Sequence, residues 1–142
     1  MPELEFFVVC ESVSIDQATN QASVFNILEE LGADAFPTIV PKCAALSLWR
    51  IGQADWNEDW QVILRVMGPG IQKQEFPANL KFRQGNLRHR VAVRLEQIPI
   101  NGAGDLVFEL LLNGNHVAQH VVSVLSSKPS PQPPGTKDTR PH

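Results

Sequence analysis

Nothing in the 142 residues approaches the ~18 consecutive apolar residues of a membrane-spanning helix. No positive charge precedes the short apolar run that follows Met1-Pro2-Glu3-Leu4-Glu5, so a secretory signal is not expected and the chain reads as cytoplasmic. Cysteine is scarce. Cys10 and Cys43 stand in apolar, strand-like surroundings without any short metal-ligand spacing, which reads as two reduced core thiols. Absent too are a Gly-x-Ser-x-Gly elbow, a phosphate loop ending in Gly-Lys-Ser/Thr, and a glycine-rich loop between a strand and a helix. Hydrolase and nucleotide-binding folds lose support, and the expectation is a protein that is not an enzyme and carries no cofactor and no metal. An overall net charge of −3 and a pI near 5.8 speak against nucleic acid as the partner.

What is present is a 43% hydrophobic, 19% charged chain. A chain of this length buries roughly 68% of the surface its unfolded form exposes, enough to fold without a disulfide or a metal. The expected organisation is one domain over residues 1–127 and a tail over 128–142. That tail holds Pro129, Pro131, Pro133, Pro134 and Pro141 and no large apolar residue, so it is expected to stay disordered unless a partner orders it.

Charge changes sign along the domain. Residues 1–59 carry ten acidic side chains against Lys42 and Arg50, a net of −8. Residues 60–127 carry seven basic ones against four acidic, a net of +3, and the tail adds +2. The two parts of the domain could neutralise one another within one molecule or between copies.

The apolar pattern is that of strands. Phe6, Phe7, Val8, Val9 and Cys10 form a short continuous run, and Leu46, Leu48 and Trp49 follow Pro41 in an extended pattern. Trp60, Val62, Leu64 and Val66 alternate with more polar neighbours, and Gly68-Pro69-Gly70 supplies a turn. Residues 23–31 fit either state: Val24, Ile27, Leu28 and Leu31 keep a helical spacing, while Phe25 and Ile27 alternate as a strand. A strand is favoured, because the run spans only about two helical turns. Asn113-Gly114 between two apolar runs is a strong hairpin signal. A second hairpin is expected over residues 80–95, turning at Gln84-Gly85-Asn86. In that register Leu80, Phe82, Val91, Val93 and Leu95 share one face, and Lys81, Arg83, Arg88, Arg90 and Arg94 share the other. Seven to eight strands at this spacing imply an antiparallel β-sandwich.

The order of these pieces resembles a bacterial protein family of unknown function with an immunoglobulin-like or C2-like β-sandwich. The likeness covers roughly residues 5–125. It rests on the run from Phe6 to Glu11, on Val24-Phe25-Asn26-Ile27-Leu28 leading to Phe36-Pro37, and on Gly104-Asp105-Leu106-Val107-Phe108-Glu109-Leu110 before Asn113-Gly114. The resemblance implies a fold and no activity, and it favours a strand over residues 24–28.

The basic face of the expected hairpin is the leading candidate site. From Phe76 to Leu95 there is no acidic residue, so Lys81, Arg83, Arg88, Arg90 and Arg94 would form a positive stripe. Such a stripe could dock an acidic protein, including the acidic part of another copy, or it could simply be a solvated face whose cations deter edge pairing. The alternative is a sandwich that binds a carbohydrate, another small ligand or calcium. It would use Trp56 and Trp60 as a stacking platform and Asp55, Glu58 and Asp59 as oxygen ligands, although these lack Asp-x-Asp spacing. A second alternative is an accessory subunit of an enzyme, whose site is assembled from distant loops. His116 and His120 would share a helix face, but on a strand they stand about 13 Å apart, too far for one zinc.

Overall fold

The computed structural model describes residues 1–127, so the expected proline-rich tail lies outside the described residues. Nine strands form there: β1 (Glu3–Ile15), β2 (Ala22–Ile27), β3 (Glu30–Ala33), β4 (Thr38–Arg50), β5 (Asp59–Gly68), β6 (Ile71–Lys81), β7 (Arg88–Ile100), β8 (Gly104–Leu112) and β9 (Asn115–Ser126). They make a four-stranded sheet in the order β2-β1-β4-β7 and a five-stranded sheet in the order β3-β9-β8-β5-β6. The protein is an all-β sandwich, and its strand order supports the immunoglobulin-like side of the expectation. Taken in chain order, β1, β4 and β7 occupy the places of immunoglobulin strands A, B and E, while β5, β6, β8 and β9 occupy those of C, C′, F and G.

Alternation within the strands builds the core. Leu64 and Val66 of β5, Leu106 and Phe108 of β8, and Val122 and Val124 of β9 point inward from one sheet, against Val9 of β1, Ala45 of β4 and Leu95 of β7 from the other. A second cluster closes one end around Trp49, Val62, Leu110 and Leu112. Asn113 (φ 48°) and Gly114 (φ 84°) both take the left-handed conformation that a two-residue hairpin turn requires, so β8 runs straight into β9 as expected.

Two expectations need correction. Residues 23–31 form two strands in different sheets. β2 pairs antiparallel with β1, and β3 pairs parallel with β9, which raises the strand count to nine and breaks the all-antiparallel rule at one place. Residues 80–95 do not form a hairpin: β6 pairs with β5 in one sheet and β7 with β4 in the other. The cause is Phe82, which is fully buried just past the end of β6 and stacks edge-on against His89. Burying that ring draws the chain through the end of the sandwich. Backbone bonds from Asn57 N–H to the Phe82 carbonyl and from Ile51 N–H to the Leu87 carbonyl hold the crossing. The turn at Gln84-Gly85-Asn86 exists, with Gly85 at φ 92°, but it joins two sheets.

A third apolar layer lies outside the sandwich. Cys10, Ala44 and Leu46 are buried on the outer face of the four-stranded sheet, packed with Val13 and Val24. The β1–β2 ladder is interrupted at Glu11 and Asn26, where Asn26 takes φ 55° and its amide donates to Glu11 Oε2. Beyond this break Val13 and Val24 turn onto Cys10, and the hairpin tip folds across the sheet until Arg90 Nη2 of β7 donates to the Asn20 carbonyl at 2.7 Å.

Candidate interaction site

On β7, Val91 and Leu95 face the core, so Arg88, Arg90 and Arg94 alternate onto the outer face. Directly opposed residues of paired strands share a face, and β4 places Arg50 beside Arg88, Leu48 beside Arg90, Ala44 beside Arg94 and Lys42 beside Glu96. The five expected cations are therefore divided. Arg88, Arg90 and Arg94 stay together, while Lys81 sits at the end of β6 opposite Asp59 in the other sheet and Arg83 stands on the crossing segment. In their place the register recruits Lys42 and Arg50, which the hairpin assumption missed. Their shared parity with Leu46 and Leu48 along β4 was the signal that could have found them.

These cations differ in how they are held. Arg88 Nε donates to Glu5 Oε1 at 2.7 Å, and Arg90 is tied to the hairpin tip. Among the described residues, Lys42, Arg50 and Arg94 have no acidic partner within 4.0 Å. Between the arginines and the hairpin tip lies a cleft of about 420 Å³ floored by Phe6, Leu46 and Leu48. It continues into a cleft of about 520 Å³ bounded by Asn86, Arg88 and His89. Burial, with the Arg90 charge beside it, holds the His89 imidazole below the usual histidine range. The face thus combines fixed positive charge with a partly covered apolar floor.

The tryptophan loop is arranged differently from a stacking platform. Trp56 Nε1 donates to the Asn86 carbonyl at 2.9 Å and Trp60 Nε1 to the Asp55 carbonyl at 3.3 Å, so both indoles are half-buried and tied to backbone. Asp55 turns inward and is 2% exposed. Its Oδ2 accepts from Gly52 N–H at 2.8 Å, and its Oδ1 pairs with the Met1 ammonium at 2.6 Å. Burial alone would raise the Asp55 pKa, but the hydrogen bond and charge of the ammonium and the Gly52 amide overcome it and hold the carboxyl below its ordinary range. Glu58 and Asp59 remain exposed. Among the described residues, no three His, Cys, Asp or Glu side chains converge as metal ligands.

The histidines and cysteines also separate. His116 is exposed, 3.7 Å from Glu109, whereas His120 points the other way, into the crossing between the sheets. Its Nδ1 accepts from Val9 N–H at 3.4 Å and its Nε2 donates to the Leu28 carbonyl at 2.6 Å. Leu28 N–H meanwhile bonds the Val9 carbonyl. The imidazole therefore stands where the second rung of a Val9–Leu28 pair would be and ties β9 to the edge of the opposite sheet. Burial raises the pKa of both thiols, and Cys43 is pushed up to about 11 by burial and by Cys10 nearby, so neither is a thiolate at neutral pH. Among the described residues no helix is long and apolar enough to cross a membrane.

A family of unknown function, DUF6941, matches residues 5–125. A search of curated proteins gives no match. Among solved structures, the chain is similar to an immunoglobulin-like protein from Pseudomonas aeruginosa, with 11% identity over 87% of this chain and 96% of that one and a TM-score of 0.44.

Proposed function

We propose that this chain, which belongs to the family of unknown function DUF6941, is a non-enzymatic interaction module that docks an acidic protein surface. The docking face is the outer side of β4 and β7. The observation that carries this reading is the β4–β7 register, which collects Lys42, Arg50, Arg88, Arg90 and Arg94 on one face; Glu96 lies opposite Lys42 and Glu3 opposite Arg50, yet among the described residues Lys42, Arg50 and Arg94 have no carboxylate within 4.0 Å. Protonated, buried thiols and a carboxylate sequestered by its own backbone offer no activated nucleophile or base in support of catalysis. Two reduced cysteines suit a reducing compartment, so the proposed site of action is the cytoplasm.

The test uses labelled poly-glutamate as a defined acidic probe, followed by fluorescence anisotropy. Binding is expected at low salt and is expected to weaken as the screening length falls from about 10 Å at 0.1 M to about 3 Å at 1 M. Lys42→Glu combined with Arg94→Glu is expected to weaken it by about tenfold or more. Lys73→Glu, on the opposite sheet, is expected to leave it unchanged. Equal binding by all three proteins, or none by the unaltered chain, overturns the reading.

A further inference from the structure

β7 is an outer strand of the four-stranded sheet, and among the described residues no strand pairs with its far side. Which of its backbone groups are free follows from the register. Ile51 N–H donates to the Leu87 carbonyl in step with the β4–β7 pairing, and hydrogen-bonded pairs alternate along an antiparallel ladder. The residues of β7 bonded to β4 are therefore His89, Val91, Val93 and Leu95. Arg88, Arg90, Ala92 and Arg94 turn their N–H and C=O groups away from β4, and among the described residues no backbone group meets them there. The other outer strands are poorer templates: β3 is four residues long, Pro77 interrupts β6, and β2 leaves the plane of its sheet at the Asn26 break.

We infer that the acidic partner adds an extended, antiparallel strand to β7 over residues 88–94, with carboxylates at alternate positions. The inference rests on the docking reading above and names the form of that partner. The residues with free backbone groups are the same ones whose side chains lie on the outer face, and three of the four are arginines. A partner residue bonded to one of them stands directly opposite it and shares its face, so each carboxylate meets a cation. Arg94 has no carboxylate within 4.0 Å among the described residues, Arg88 holds Glu5 through Nε, and Arg90 holds the Asn20 carbonyl through Nη2. The intervening partner residues lie on the inner side beside His89, Val91 and Val93, where β-branched apolar side chains fit. Glu96 closes the site by opposing a further carboxylate, and Gln97 at φ 53° and Pro99 follow it. The cations that deter a neutral or basic strand thus accept an acidic one.

The experiment uses the full chain and a labelled heptapeptide, Glu-Val-Ser-Val-Glu-Val-Glu with blocked ends, whose residues run antiparallel from Arg94 to Arg88. Two further peptides carry one backbone N-methyl group, at the fifth residue, whose N–H would meet the Arg90 carbonyl, or at the fourth, whose N–H would point away from β7. Charge is the same in all three. By anisotropy at low salt, methylation at the fifth residue is expected to weaken binding about tenfold and methylation at the fourth to leave it unchanged. Bound peptide is expected to slow amide exchange at Arg90, Ala92 and Arg94 more than at Val91 and Val93, whose amides already bond β4. Equal binding of the two methylated peptides overturns the inference, as does a heptapeptide that does not bind. A chain that binds poly-glutamate but does not distinguish the methylated peptides loses the added strand and keeps the docking face. A chain that shows the expected methylation pattern but ignores poly-glutamate keeps the added strand and loses the face that docks by charge alone.

Discussion

The outer faces of the two sheets hold their charges differently. On the five-stranded sheet the charges meet one another. Arg65 lies 3.5 Å from Glu75 and 4.0 Å from Glu109, Lys73 lies 3.3 Å from Glu75, and His116 lies 3.7 Å from Glu109. On the four-stranded sheet Arg88 lies 2.7 Å from Glu5, but Lys42 and Arg50, opposite Glu96 and Glu3 in register, and Arg94 have no carboxylate within 4.0 Å among the described residues, beside an apolar layer covered by the β1–β2 hairpin. A charged row whose members neutralise one another offers little to a partner, while unpaired cations beside apolar surface keep their field available. On the proposed reading, the four-stranded face serves interaction and the five-stranded face serves stability.

The comparison breaks most severely at Leu46. This side chain projects outward from its sheet yet is 1% exposed, because the hairpin covers it. Leu46→Ala is expected to cost roughly 2–5 kcal/mol in urea denaturation, the range of a core leucine. Ile63→Ala, on the half-buried outer face of the other sheet, should cost less than half as much. Equal costs would mean that the hairpin does not cover Leu46 in solution. The next effect is at His120, which ties the two sheets together. His120→Leu leaves the Val9 amide and the Leu28 carbonyl without their bridge and is expected to cost about 2 kcal/mol by the same measurement. Amide exchange should then accelerate at Val9 ahead of the β4–β7 ladder.

Asp55 provides a charge that is both buried and paired, unlike those on either face. Its pKa is lowered on folding, so its contribution to stability is fully present above the ordinary value of 3.8 and is lost as pH falls through the folded value below it. Asp55→Asn is expected to flatten the acid limb of the stability–pH curve in that window. An unchanged acid limb would show that the ammonium and amide contacts do not persist in solution.

Much of the sandwich was legible because its strands obey local rules. The alternation of Trp60, Val62, Leu64 and Val66 and the Asn113-Gly114 turn each specify their own geometry. The family likeness over residues 5–125 was legible for the same reason, since its motifs are strand and turn residues. The site was half legible. Arg88, Arg90 and Arg94 share a face by strand parity alone, whichever strand β7 joins. Lys42 and Arg50 enter only through long-range pairing with β4, and Lys81 and Arg83 leave only because Phe82 buries between the sheets. A turn signal reports that the chain reverses and not which sheet receives it. His120 was illegible too: its role depends on Val9 and Leu28, which approach it from another strand and another sheet.

The smallest expected effect separates the two faces most cleanly. Arg65 is 25% exposed between Glu75 and Glu109, and the Glu109 side chain is itself only 15% exposed. Arg65→Met keeps the packing of the aliphatic stem and removes the charge, leaving two neighbouring carboxylates to repel each other, one of them largely desolvated. Even discounted for partial solvent screening, a loss of about 1 kcal/mol is expected, reduced by high salt. Arg94→Met removes a cation that has no acidic partner among the described residues, so its stability should change by no more than about 0.5 kcal/mol in either direction. Its binding of poly-glutamate should fall while its unfolding midpoint holds. If the two substitutions instead cost the same, Arg94 has a stabilising partner in solution, and the four-stranded face loses its distinction as the one with charge to spare.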